Sequence, residues 1–300
     1  MEKKLDVYQT VTNQIIAQLE SGGLPPWVKP WKEIGHSADP HNAVTKRPYS
    51  GVNTLLLWIA QAVHGWPTAG FLTFKQAKEA GGTVKGGEKG TFIVFVKPLT
   101  VKEKQDDGTE EDRSITMMRS YYVFNVAQCD GLPERLTAPR KLADPISDPG
   151  FDAWVKATGA DVRFGSSRAC YSPSRDTIDF PIRGAFKSPG HYAATMLHEL
   201  GHWTDHESRC KRDLHKGRFG NPEYAAEELV AELCSAFLCA ELGIDGEGQQ
   251  HAAYLANWLT ALKNDKRFIF TAASAAQKAA DFLKTKASVP AVLEHLELAA

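Results

Sequence analysis

Residues Ser188 to His206 read SPGHYAATMLHELGHWTDH, and His198-Glu199-Leu200-Gly201-His202 within them is an H-E-x-x-H. No other stretch constrains the chain as much. Ser188 is a helix-capping residue type, and Pro189 suits a first helical turn. Tyr192, Met196, Leu197 and Leu200 then recur at helical spacing. Residues four apart on a helix share a face, which brings the two imidazoles within reach of one metal ion. Zinc accepts neutral imidazole nitrogens in a tetrahedral site, and a catalytic site keeps one position open. Glu199, directly after the first histidine, is placed to serve as general base.

Such a site needs a third protein ligand. His206 continues the four-residue spacing, but it lies roughly 12 Å along the axis from His198, too far for bonds near 2 Å to one ion. The metzincin position, ten residues after the first histidine, is Ser208. The better source is a second helix expected over Pro222 to Leu242, PEYAAEELVAELCSAFLCAEL. Glu228 and Glu232 lie four apart on its apolar stripe, where carboxylates are costly unless paired or bound to metal. Glu228 is assigned to the metal and Glu232 to the orientation of a ligating imidazole, the exchanged roles being the alternative. Glu227 is read as their exposed neighbour. Zinc is the expected ion, and a His/His/Glu set also tolerates manganese. Tyr224, His206 and His215 are candidate oxyanion donors. Short strands expected at 161–164, 169–171 and 177–181 precede the histidine helix. Their edge, flanked by Tyr171 and Asp179, could hold an extended peptide by backbone pairing, which makes Tyr171 a candidate substrate contact.

Ahead of this region lies a different kind of sequence. A helix is expected from Asp6 to Gly22, then Leu24 to Ser50 is irregular and rich in proline and tryptophan. Trp27, Trp31, Tyr49, Lys46 and Arg47 interleave rings and cations, a combination suited to single-stranded nucleic acid. The same tryptophans could instead pack onto the domain and pin the segment, and the segment taken alone favours that use. Val52 to His64 reads as a core helix, and Thr73 with Gln76 as a capping box. The glycine-rich stretch Ala80 to Gly90 carries Lys85 and Lys89; a tight turn is its ordinary use, and exposed amides facing phosphate the other. Two β-rich runs, Thr91 to Val101 and Ser114 to Val126, flank an acidic loop and form a hairpin. Proline-rich Gly131 to Phe151 reads as a linker.

The expected architecture is therefore α+β in two domains, 1–132 and 151–300, joined by 133–150. Charge follows the division. Residues 1–142 hold 18 basic and 15 acidic side chains, six of the acids in Glu103–Asp112; residues 143–300 hold 17 basic and 21 acidic. Nucleic acid contact is thus expected in the first half. Five scattered cysteines without a C-x-x-C pair suit a reducing compartment and no cysteine zinc site. The N-terminus has no apolar signal region, and no apolar run reaches membrane-spanning length. A cytoplasmic protein without membrane contact is expected.

The two halves together resemble one family. NAVTKRPYSGVNTLLLW (42–58), FLTFKQAKEAGGTVKGGEKG (71–90) and YYVFNVAQCDGLP (121–133) resemble the single-stranded-DNA-binding domain of ArdC-type antirestriction proteins and plasmid TraC-type primases. YSPSRDTIDFP (171–181), HELGHWTDH (198–206) and RFGNPEYAAEELVAELCSAFLC (218–239) resemble their zincin-like metallopeptidase domain. The resemblance implies a protein of conjugative plasmids that binds incoming single-stranded DNA and protects it from host restriction. It points the Trp27–Arg47 segment and the Lys85–Lys89 turn toward DNA. It also implies a zinc-dependent protease, with restriction enzymes or other DNA-bound proteins as substrates. No primase catalytic segment is expected to follow. A non-catalytic shield with a structural metal and a primase-associated accessory protein remain the other readings.

Overall fold

The computed structural model describes residues 6–21, 25, 27, 40–104, 110–138, 148–212, 222–245 and 252–288, without the side chains of 96–104, 110–117, 222–224 and 252–254. The chain runs α1 (Val7–Glu20), β1 (His41–Asn42), α2 (Val52–His64), β2 (Gly70–Leu72), α3 (Phe74–Glu79), β3 (Thr83–Val84), β4 (Thr91–Lys104), β5 (Glu110–Asn125), β6 (Cys129–Asp130) and α4 (Glu134–Thr137). It continues with α5 (Asp148–Ala157), β7 (Asp161–Phe164), β8 (Cys170–Ser172), β9 (Thr177–Phe180), α6 (Pro189–Trp203), α7 (Pro222–Leu242), α8 (Ala252–Asn264) and α9 (Phe268–Ser288). The fold is α+β with two domains, the first built on a sheet and the second on helices with a small sheet. No helix among the described residues is long and apolar enough to cross a membrane.

Local chemistry sets the element ends. The Asp6 side chain accepts from Gln9 N and starts α1. Thr73 and Gln76 form the expected reciprocal capping box at α3. Ser188 accepts from His191 N, with Pro189 in the first turn of α6. The main sheet has the order β1-β2-β5-β4; β1 and β2 are parallel, the other neighbours antiparallel. The hairpin is longer than expected, from Thr91 opposite Val123 to Lys104 opposite Glu110. Its edge strand is covered partly by a side chain: Asn53 Nδ2 donates to Val94 O at 2.7 Å, and Val94 N donates back to Asn53 Oδ1 at 2.8 Å. The expected linker holds α4 and the first turn of α5.

The halves share one apolar core. Val11, Ile15 and Leu19 of α1 are buried, and α1 packs on α2 and α8. Thr12 Oγ1 donates to Lys266 O at 2.8 Å, and the Tyr8 ring meets Phe270 of α9 edge-on. Trp58 of α2 packs against Phe237 of α7. Helices α6 and α7 approach closely, because Gly201 offers no side chain where they cross. A Cβ at Gly201 would lie 3.0 Å from Ala231 Cα and 3.3 Å from Ala231 Cβ and O. Ser235 Oγ adds a bond to Ala194 O at 2.9 Å.

That crossing gives a signed prediction. Replacing glycine by alanine in a helix ordinarily stabilises it by up to about 1 kcal/mol. At position 201 the contact is backbone, so Gly201→Ala should instead destabilise by about 1–3 kcal/mol as an overpacked core position. Urea unfolding measures this, and a raised midpoint would contradict the close crossing.

Candidate metal centre

Helix α6 buries Tyr192, Met196, Leu197, Leu200 and Trp203 and turns His198 and His202 to the opposite flank of that stripe. Their Nε2 atoms lie 3.1 Å apart. Glu228 of α7 faces both, with Oε2 3.6 Å from His198 Nε2 and Oε1 3.6 Å from His202 Nε2. One ligand atom from each of the three lies within 4.8 Å of the others. Glu232 Oε2 stands 3.2 Å from His198 Nδ1. The geometry thus places Glu228 at the Nε2 face and Glu232 behind the first imidazole. His206 lies outside the cluster, its Nδ1 2.9 Å from Ser208 Oγ.

Glu227 is not the exposed neighbour that the sequence suggests. It is 1% exposed, and its Oε1 lies 3.3 Å from His202 Nδ1. It therefore does for His202 what Glu232 does for His198. Arg212, absent from the sequence reading, holds it there. The guanidinium bonds both Glu227 oxygens, Nε to Oε2 at 3.0 Å, and reaches Thr204 Oγ1 at 2.6 Å and Gly201 O at 2.9 Å. Burial would raise the Glu227 carboxyl; the bonds from His202 and Arg212 outweigh it and hold the group below the usual carboxylate range. Burial likewise opposes charge on His198, yet the carboxylates of Glu228, Glu199 and Glu227 raise its pKa.

These residues fit a divalent cation. Each Nδ1 faces a carboxylate, which keeps the proton on that nitrogen and leaves the Nε2 lone pair bare. Two ring nitrogens 3.1 Å apart need a positive centre, either a proton shared between them or a metal ion that both lone pairs reach. Tetrahedral bonds of ~2.05 Å put two nitrogens about 3.3 Å apart, close to the observed separation. Glu199, Glu227, Glu228 and Glu232 are all buried around the pair of imidazoles. A cation offsets part of this concentration of negative charge. Three protein ligands leave a coordination position for a small molecule.

Glu199 is oriented from the small sheet. Its Oε2 accepts from Tyr171 N of β8 at 2.8 Å. The role of Tyr171 therefore differs from the expected substrate or oxyanion contact. Its side chain is buried, and its hydroxyl donates to Asp176 Oδ1 at 2.9 Å and accepts from Arg209 Nη2 at 3.2 Å. Burial, reinforced by Asp176, drives its pKa well above the usual tyrosine value. The strand edge is also spent internally at this point, because the amide facing away from β9 holds Glu199. The Tyr224 side chain and His215 lie outside the described residues.

The residues expected to meet DNA are scattered. Trp27 is 2% exposed with its ring 5.6 Å from that of Trp258, so it is a core residue and offers no face to a base. Tyr49 is half-buried against Phe71. Lys46, Arg47 and Lys89 are exposed; Lys85 is exposed too, with Nζ bonded to Ala127 O at 2.9 Å. Trp31 lies outside the described residues.

Comparison with known proteins separates the same two parts. Residues 5–124 match the family described as the N-terminal domain of anti-restriction factor ArdC, and residues 149–275 match the zincin-like metallopeptidase family. The uncharacterized protein y4eC of Sinorhizobium fredii is 38% identical over 94% of this chain and 93% of its own length. The DNA primase TraC of Escherichia coli is 40% identical over 94% of this chain, which spans only 27% of that protein. The crystal structure of antirestriction ArdC protein from R388 plasmid in its metal-free form superposes with a TM-score of 0.79 at 43% identity, covering 95% of this chain and 98% of that one. Its Mn(II)-bound form gives 0.78 at 42%, covering 95% and 99%.

If Glu227 and Glu232 fix the imidazoles, Glu227→Gln and Glu232→Gln should each weaken zinc binding about 10–100-fold. Competition with a chromophoric chelator measures this. Unchanged affinity in both variants would contradict the arrangement.

Proposed function

We propose a function from one premise: the chain belongs to the ArdC family of antirestriction proteins. In this reading it is a plasmid-borne protein whose N-terminal half binds single-stranded DNA. Its C-terminal half is a metal-dependent peptidase, zinc being the favoured ion. The observation that carries the enzymatic part is the joint placement of Glu199, His198, His202 and Glu228. Manganese stays admissible for such a donor set, and the related ArdC structure is Mn(II)-bound.

His198, His202 and Glu228 would hold the ion, with Glu232 and Glu227 fixing the ring orientations. When bound, a divalent ion polarises a carbonyl and acidifies water. Glu199, oriented by the Tyr171 amide, would take a proton from the attacking water and return it to the leaving amine. Carrying such a centre on a DNA-binding protein raises the local concentration of protein targets on the same strand. DNA-bound proteins, restriction enzymes among them, are the substrate class that follows.

Glu199→Gln tests the enzymatic part while retaining the acceptor for the Tyr171 amide. The variant should keep its metal and its DNA affinity. Its protection of single-stranded DNA entering a restricting recipient should fall by about 100-fold or more, the range of a lost general base. Full protection by a metal-loaded Glu199→Gln protein would leave the protein a non-catalytic shield.

A further inference from the structure

Aromatic side chains form a row on one face of the N-terminal sheet, where solvent reaches them. Phe74, at the start of α3, is 58% exposed, and Tyr122 of β5 is 56% exposed. Phe124 stands between them, half-buried, its ring 6.4 Å from that of Phe74. Tyr122 and Phe124 are two apart on a strand and so share a face. Phe92 lies opposite Tyr122 in register, with its ring 5.9 Å away; it is buried and ties the exposed rings to the core.

Cations flank the row. Gly90 is pressed onto it: a Cβ there would meet Tyr122 Cβ at 2.9 Å and Phe124 Cζ at 3.2 Å. The preceding residue is Lys89, exposed, with its carbonyl fixed by Gln128 Nε2 at 3.0 Å. Lys75 follows Phe74 and is exposed; it pairs loosely with Glu79 at 3.6 Å, both side chains in solvent.

Ring exposure selects the ligand. In a duplex each base face is covered by its neighbour at a rise of about 3.4 Å, so a ring standing on a protein surface, such as Phe74 or Tyr122, has no base face to meet. Only a strand free to unstack can place successive bases on successive rings. Resting on the DNA-binding reading above, we infer that single-stranded DNA runs along Phe74, Phe124 and Tyr122, its bases on the rings and its phosphates beside Lys75 and Lys89. The binding face is thus the sheet surface of α3 and β5, and not the Trp27 ring, which is buried.

The test uses the full-length chain and a fluorescein-labelled oligothymidine of about 16 nucleotides, the upper site size for such grooves, with a duplex of the same length. Wild-type protein should prefer the single strand. Phe74→Ala and Tyr122→Ala should each weaken binding about tenfold, while Tyr122→Phe, which keeps the ring, retains it. Tyr121→Ala, on the other face of β5, should bind as wild type. Circular dichroism melting checks that each variant stays folded; the two rings are mainly in solvent. Lys75→Ala with Lys89→Ala should flatten the salt dependence of binding by about one unit of slope or slightly more. If wild type prefers single strands and the two alanine variants bind equally well, this placement is overturned and the DNA-binding reading survives. If wild type shows no such preference, the reading itself falls and takes the placement with it. An unchanged salt slope would remove the two lysines from the path.

Discussion

Concentrated negative charge in a dry place is the constraint around which this molecule is arranged. Glu199, Glu227, Glu228 and Glu232 converge on two imidazoles between α6 and α7. Burying an ionised carboxylate costs several kcal/mol unless something positive or a donor meets it. The surrounding structure can be understood as the means of meeting each one. Arg212 answers Glu227, the Tyr171 amide answers Glu199, and His198 and His202 carry their Nδ1 protons to Glu232 and Glu227. Glu228 then faces the Nε2 side of both rings, where a divalent ion would complete the arrangement. The close crossing at Gly201 and Ala231 follows from the same need, since carboxylates on α7 reach imidazoles on α6 only when the helices nearly touch.

How much of this could be read from the sequence depended on whether each signal was local. His198, Glu199 and His202 declare themselves by spacing on one helix, and the apolar periodicity around them fixes which way they face. Glu228 and Glu232 could be found because they interrupt an apolar stripe. Glu227 could not, because α7 is buried on every side from Leu229 to Ala240, so neighbouring positions do not alternate between core and solvent. Its partner Arg212 comes from a connection 15 residues earlier, and nothing local marks an arginine as buried. A single signal could have helped: three closely spaced glutamates on a core helix require cations from elsewhere.

The aromatic residues show the converse problem. Trp27 and Tyr49 stand beside lysines and arginines in sequence, as a base-stacking surface would, yet composition does not say which side of the chain is covered. Trp27 packs against Trp258, more than two hundred residues away. Phe74 and Tyr122, among the rings that do reach solvent, sit in segments that read as ordinary capping and hairpin. Strand alternation separates Tyr121 from Tyr122 onto opposite faces, and both rings reach solvent; only on the Tyr122 face do Phe74 and Phe124 extend the aromatic surface from α3 to β5.

Packing is continuous from one region to the other. Tyr122 and Phe124 lie on β5, which pairs with β4; Asn53 of α2 holds the β4 edge at Val94; and Trp58 of the same helix rests on Phe237 of α7, one turn and a half beyond Glu232. Gln277 of α9 closes the junction by accepting from Gly51 N at 3.1 Å. The apolar core that holds Trp58 and Phe237 also takes in Phe92 and Val94 of β4, while the sheet keeps two smaller clusters of its own, one of them beneath Phe124. A long flexible linker would let the two sites sample many separations, with an effective concentration spread over that volume. A shared core fixes the separation instead. On the proposed function, a protein target bound on the same strand would have to supply the reach itself, so extended or locally unfolded segments are the ones such a centre would meet.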